Sequence, residues 1–151
     1  MVRTRFELKS VIDEIKNFTG PVQARNFEIF RELLDKNHML DQAHDFFRAS
    51  GALTAIEYKD VIEAQLRTYL KGGFQLLSLN DFTGQGYAPV GILDPFWNTK
   101  GLITPEKWRE FCAPTVALLR FDKRALYNDE VFEGKAEIYN YGPTLLKNAK
   151  I

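Results

Sequence analysis

Apolar side chains recur every three or four residues through the first seventy positions, a spacing that predicts amphipathic helices. The predicted helices cover residues 6–18, 27–37, 40–50 and 53–70. Gly20-Pro21 is interpreted as the end of the first helix, because glycine favours a left-handed cap and proline cannot continue a helix. Gly51 and Gly72-Gly73 are interpreted in the same way as the ends of the third and fourth helices.

The pattern changes after the double glycine. Residues 74–79 form a short, almost continuous apolar run, which is typical of a strand covered on both faces in a parallel sheet. Thr104-Pro105 predicts the start of a short helix that ends near Cys112. Residues 115–121 and 131–141 predict strands, and the second alternates apolar and polar positions as a half-buried antiparallel strand does. The chain is therefore predicted to be an α/β part followed by an all-β part.

The composition is that of a globular domain, and its charge and hydropathy argue against two classes of partner, nucleic acids and membranes. The 151 residues carry 20 basic and 20 acidic side chains and no net charge, whereas a protein that binds nucleic acid normally carries a basic patch. No apolar run approaches the roughly 18–20 residues of a membrane span, and the first ten residues lack the apolar stretch of a signal peptide. We therefore expect neither nucleic acid nor a membrane as a partner, while the cellular compartment stays open.

The sequence contains few cysteine and histidine side chains that could bind a metal ion. Cys112 is the only cysteine, which leaves no partner for a disulfide within the chain. His38 and His44 are the only histidines, and a spacing of six does not place them on one helix face. A zinc site uses about four such ligands at short spacings. We therefore expect no metal and no cofactor.

Polar and aromatic residues gather after the predicted buried strand. Asn80 and Asp81 follow it directly, at the strand end where ligands bind in parallel α/β folds. Asp81 and Asp94 are the two acids that such an end could expose to a substrate. Carboxylates and amides can hold the hydroxyl groups of a sugar, while a ring such as that of Trp97 covers its apolar face. The alternative is a structural turn in which Asp81 caps backbone groups and Trp97 packs into the core.

Four stretches of the sequence point to a family, and the second is the most specific. They read FTGPVQARNFEIFRELLDKNHMLDQAHDFFRASG, GGFQLLSLNDFTGQGYAPVGILDPFWNTKG, ITPEKWREFCAPTVALLRF and YNDEVFEGKAEIYNYGP. With the sequence around them, from residue 17 to residue 143, they resemble the glycoside hydrolases of family 2, in the β-galactosidase-like clan. The resemblance implies the last units of a (β/α)8, or TIM, barrel in residues 1–113, followed by the opening antiparallel strands of a truncated β-sandwich in residues 114–151.

The function implied by this resemblance is that of a fragment of an enzyme that cleaves the O-glycosidic bonds of a carbohydrate. In that family two glutamates perform the chemistry, and both positions would lie before Met1, so the catalytic roles fall on no residue of this chain. We therefore expect the isolated chain to keep part of a sugar subsite but to be inactive. The residues implied to bind the carbohydrate substrate are Asp81, Asn80 and Phe82, with Gln85 and Trp97 as weaker candidates.

Two other functions stay open at this stage. The chain is also consistent with a self-contained module that binds a carbohydrate or a protein without chemistry, and with a domain that folds but has lost its function. The fragment interpretation carries a physical consequence, because barrel strands without neighbours expose backbone donors and acceptors. It therefore predicts self-association through uncovered barrel edges and low solubility.

Overall fold

The computed structural model describes residues 25–68, 72–82 and 89–148, and the predicted helix at residues 6–18 lies outside these ranges. The described residues divide into two compact units. The first contains the described residues up to Ile56 and from Leu76 to Ile103, and the second contains those from Glu57 to Gln75 and from Thr104 onward.

The helix α1 spans Arg25–Lys36 and confirms the second predicted helix. Its apolar positions repeat at helical spacing, and Phe27 is buried against Phe30 in an edge-to-face contact with ring centroids 6.4 Å apart. His38 has a φ of 55°, in the left-handed region. A residue in that conformation just past the last turn ends a helix, so α1 stops where the sequence predicts.

The helix α2 spans Ala43–Arg67 and follows a short 3-10 turn at Leu40–Gln42. The sequence predicted two helices separated at Gly51, and this prediction is wrong because α2 runs through that glycine. Gly51 is buried, and a Cβ atom placed on it would lie 2.2 Å from the Cδ2 atom of Leu102. The glycine therefore serves close packing against Leu102, which outweighs the cost of about 1 kcal/mol that glycine carries inside a helix.

The apolar run at residues 74–79 does not form the predicted buried strand. Leu77 is 91% exposed and Phe74 is 43% exposed. A strand buried on both faces needs paired neighbours and covering layers, whereas the ladder contact here is an isolated parallel bridge between Asn80 and Leu93. Within the described residues this segment pairs with no sheet, and its backbone is irregular.

The second unit contains the helix α3, Pro105–Arg109. Its start confirms the prediction at Thr104-Pro105: the Thr104 side chain accepts a hydrogen bond from the backbone N–H of Lys107, and proline occupies the first turn. Trp108 contacts the rings of Tyr58 and Phe111, with centroid separations of 5.8 and 5.0 Å. The buried apolar residues of this unit are Phe111 from this cluster, Ile62 from α2, and Val116 and Leu118.

Two strands follow, β1 at Thr115–Arg120 and β2 at Lys135–Asn140. Both confirm predicted strands, and they pair antiparallel, with Val116 opposite Tyr139 and Leu118 opposite Glu137. These four residues share one face of the ribbon, since alternate residues of a strand point to the same side. The side of β2 that is less exposed therefore carries Glu137 and Tyr139, and the apolar Ile138 lies on the other side.

The expectation of a partial (β/α)8 barrel followed by sandwich strands is wrong for the part of the chain that the structure describes. A barrel needs parallel strands that alternate with helices, and a sandwich needs two packed sheets. The described residues instead contain helices α1, α2 and α3 and a two-stranded antiparallel sheet. Helical periodicity and a final pair of strands are common to both architectures, which is why they did not distinguish them.

Candidate functional site

The predicted site residues lie in an irregular part of the first unit where three short stretches run side by side. The backbone N–H of Asp81 donates to the carbonyl of Leu93 at 3.0 Å, and the N–H of Leu93 donates to the carbonyl of Leu79 at 3.1 Å. Leu93 also bridges antiparallel to Thr99. These contacts bring the stretch around Asn80 beside the turn that contains Trp97.

Asp81 forms a buried ion pair with Lys100. The side chains of the two residues are 0% and 2% exposed, and the Lys100 ammonium group donates to the Asp81 carboxylate and to the carbonyl oxygen of Gly91, the latter at 2.8 Å. The N–H of Gly91 donates to Oδ1 of Asp81 at 2.8 Å. Removing either charge would leave the other buried without compensation, which typically costs 3–5 kcal/mol. Asp81 therefore holds the backbone of the site together.

Gly91 belongs to the same network because the chain passes very close to it. A Cβ atom at this position would lie 2.3 Å from the carbonyl carbon of Asn80 and 2.4 Å from the backbone nitrogen of Asp81. These neighbours are backbone atoms and cannot move aside as a side chain can. Gly91 is therefore the residue that lets the two stretches approach.

Asp94 organises a closed turn over residues 94–98. Its Oδ1 atom accepts hydrogen bonds from the backbone N–H groups of Phe96 and Asn98, both at 2.8 Å, and its Oδ2 atom accepts from the Asn98 side-chain amide at 3.1 Å. The backbone adds two bonds, from the N–H of Asp94 to the Asn98 carbonyl and from the N–H of Trp97 to the Asp94 carbonyl. With Asp94 only 2% exposed, the carboxylate is the interior anchor of this turn.

Trp97 lies at the surface of the Asp94 turn. Its φ is 68°, in the left-handed region that bulky side chains rarely enter. The residue is 64% exposed, so the structural alternative raised from the sequence is wrong in packing Trp97 into the core. Its other part, a backbone group capped by Asp81, is confirmed by the hydrogen bond from the Gly91 N–H. The arrangement offers solvent a large aromatic face on a tightly bonded turn.

The other predicted site residues differ in accessibility. Asn80 is half-buried, and its side-chain amide donates to the Asp81 carbonyl at 3.1 Å. Phe82 is 54% exposed, whereas Gln85 lies outside the described residues. The surface-exposed members of the predicted set are thus aromatic, and the substrate contacts assigned to Asn80 and Asp81 stay predictions.

Sequence reasoning missed two residues of the site, Lys100 and Gly91. Lys100 follows Asp81 by 19 positions across irregular structure, so no periodicity links them. The sequence also placed Asp81 and Asp94 at an exposed strand end, whereas both carboxylates are buried by the hydrogen bonds they accept. The sequence did contain one indication of this arrangement, because aspartates among turn-forming residues commonly accept hydrogen bonds from backbone N–H groups.

A separate groove of about 860 Å³ lies in the same unit, along α1, the 3-10 turn and α2. Much of its lining is apolar, including Phe30, Leu33, Leu40 and Phe46. Asp81 and Lys100 also line it, but their charges neutralise each other within the buried pair. The groove therefore presents mainly carbon atoms, which suits sugar hydroxyl groups less well than the surface around Trp97.

Among the described residues, no group of three or more histidine, cysteine, aspartate or glutamate side chains is arranged to hold a metal ion. None of the helices in the described ranges is both long and apolar enough to cross a membrane.

No protein-family model matches the chain, and no curated protein matches it.

Proposed function

We propose that the chain recognises carbohydrate through the exposed ring of Trp97 and does not cleave glycosidic bonds by itself. The observation that carries the proposal is the 64% exposure of Trp97 on a turn whose backbone is held by hydrogen bonds. An aromatic ring on such a backbone can stack on the apolar face of a pyranose at a lower ordering cost than a ring on a mobile loop.

The polar side chains near this ring fit the same ligand class. The amide of Asn98 lies next to Trp97 in the chain, and Asn98 is exposed. Thr99, which follows it, is exposed as well. Amide and hydroxyl groups both donate and accept hydrogen bonds, as sugar hydroxyls require.

The proposal that the chain does not cleave glycosidic bonds is supported by the state of the two acids in this region. Hydrolysis of a glycosidic bond generally needs two carboxyl groups that flank the bond. Asp81 is engaged with Lys100 and Gly91, and Asp94 is engaged with backbone N–H groups of its own turn. Neither of these two carboxylates faces solvent, so neither is placed to flank a glycosidic bond.

The test is a titration of the full chain with lactose, cellobiose and maltose, followed by the NMR signal of the Trp97 indole N–H. We expect at least one disaccharide to shift this signal, and we expect Trp97→Ala to weaken that binding roughly tenfold, because an aromatic contact contributes about 0.5–1.5 kcal/mol beyond its buried area. Trp108→Phe is the matched control, since Trp108 lies in the aromatic cluster of the second unit.

A second measurement separates binding from chemistry. The full chain is incubated with nitrophenyl glycosides, and we expect no release of nitrophenol above the buffer rate. Turnover above the buffer rate would refute the non-catalytic proposal. Disaccharide binding that is equal in the native chain and Trp97→Ala would refute the assignment of the sugar to Trp97.

A further inference from the structure

The conformation of Trp97 costs free energy that the turn must offset. A side chain larger than glycine in the left-handed region is destabilised by roughly 1–2 kcal/mol, and such residues persist where surrounding contacts over-determine them. In this turn the N–H groups of Phe96 and Asn98, one on each side of Trp97, are both bonded to the same oxygen of Asp94. The carboxylate therefore fixes the peptide groups on both sides of the strained residue.

We propose that Asp94 is the positioning residue of the sugar-binding surface: its carboxylate holds Trp97 in the left-handed conformation and so orients the ring toward the ligand. This inference rests on the proposed sugar-binding function of Trp97. Asp94 itself is 2% exposed and has no need to touch the sugar. Its effect passes through the turn.

The alternatives within the turn are weaker. The side-chain amide of Asn98 contacts Asp94 through Oδ2 at 3.1 Å, which is longer than the two backbone contacts to Oδ1. The Trp97 N–H bond to the Asp94 carbonyl closes an ordinary turn and would form with many residues at position 94. A carboxylate or amide oxygen one methylene from the backbone is what reaches both N–H groups.

The geometry also predicts which replacement will preserve the turn. Asparagine keeps an oxygen where Oδ1 stands, so Asp94→Asn can still accept from the Phe96 and Asn98 N–H groups. Alanine removes the acceptor. Glutamate keeps the charge but moves it one methylene further from the backbone, so it separates the effect of geometry from that of charge.

The experiment measures ring order and sugar binding in parallel. In a Trp108→Phe background, Trp97 is the only tryptophan of the chain, and the heteronuclear NOE of its indole N–H reports the mobility of the ring. We expect a rigid ring in the parent and in Asp94→Asn and a mobile ring in Asp94→Ala and Asp94→Glu. Affinity for the disaccharide that binds the parent best should fall roughly threefold to tenfold in the two mobile variants. Asp122→Ala, at an exposed aspartate of the second unit, is the control.

The outcomes distinguish the positioning role from the proposed function. If no disaccharide binds the parent but ring order still depends on Asp94, the sugar proposal fails and the positioning role is supported. If ring order is unchanged in Asp94→Ala, or in Asp94→Glu should the alanine variant not fold, the positioning role is overturned. Loss of binding with an unchanged ring would overturn it as well, because Asp94 would then act on the ligand by another route.

Discussion

At the scale of single residues, Trp97 is unusual because a smaller residue would suit its backbone better. Gly101, four positions later, has nearly the same φ, 69° against 68°. Glycine adopts such a conformation at no steric cost, whereas every side chain with a Cβ atom is strained there. The turn itself gains nothing from a tryptophan at this position, and the sugar contact proposed above would account for it.

The left-handed backbone conformation at position 97 predicts the order of stability of two variants. Trp97→Gly should have a free energy of unfolding about 1 kcal/mol higher than Trp97→Ala, because both lose the ring and only glycine relieves the backbone. The measurement is chemical denaturation followed by circular dichroism. The control is Ala52→Gly at an exposed position of α2, where glycine should instead destabilise by about 1 kcal/mol. Equal stability of the two Trp97 variants would show that the left-handed conformation does not exist in solution.

The sequence could indicate the chemistry of this site but not its arrangement. Asn80, Asp81 and Trp97 were identified because carboxylates, amides and aromatic rings suit a sugar. Which side chains reach solvent depends on partners distant in the sequence, and Lys100 neutralises Asp81 from 19 positions away. Because no periodic pattern links residues in irregular structure, burial of Asp81 became visible only in the fold.

At the scale of secondary structure elements, the ribbon β1–β2 is joined by a charged cross-strand contact. The Arg120 guanidinium donates to both carboxylate oxygens of Glu137, each at 3.0 Å. Lys135 lies 3.4 Å from the same carboxylate. The hydrogen bonds from Arg120, together with the nearby positive charges, hold the pKa of Glu137 below its ordinary value of 4.5.

The lowered pKa makes the stability of the ribbon depend on pH. The native state binds a proton at Glu137 less readily than the unfolded chain, so the contact stabilises the fold fully above about pH 4.5 and less as the pH falls through the native pKa. We expect the melting temperature to decline on acidification, and to decline less in Glu137→Gln. Thermal melts from about pH 7 to about pH 2 measure this difference. Glu133→Gln, at an exposed glutamate before β2, is the control; an identical decline in both variants would contradict the assignment.

Element predictions succeeded where the pattern is local and failed where it depends on distant contacts. The helix α1, the start of α3 and both strands carry their periodicity or cap within a few residues. The glycine at position 51 looked like a helix end, and only the packing of Leu102 explains why α2 continues through it. The run at residues 74–79 had the composition of a strand, but a strand forms only beside paired neighbours, and the sheet in the described residues pairs β1 with β2 alone.

At the scale of the whole molecule, large apolar side chains remain uncovered around the ribbon. A two-stranded sheet is at best marginally stable in water without a covering layer. Tyr127, Val131 and Leu145 are 78%, 80% and 79% exposed. Self-association was expected from the edges of a barrel, and the fold removes that reason. The exposed apolar surface near the ribbon is a different reason to expect self-association. Two copies of the chain can bury this surface against each other and so remove it from water.

We therefore predict that the chain associates with itself as its concentration rises. Sedimentation velocity should show a growing fraction of dimers or larger species, and the double variant Val131→Lys with Leu145→Lys should shift the distribution toward monomer, because a charge cannot enter an apolar interface without a partner. The control combines Asn128→Lys with Thr144→Lys, both at exposed positions; it adds the same two charges without removing large apolar side chains and should leave association nearly unchanged. If this control disperses the chain as well as the Val131 and Leu145 variant does, net charge rather than apolar contact governs association. A native chain that stays monomeric at every concentration would mean that these side chains are covered within one molecule.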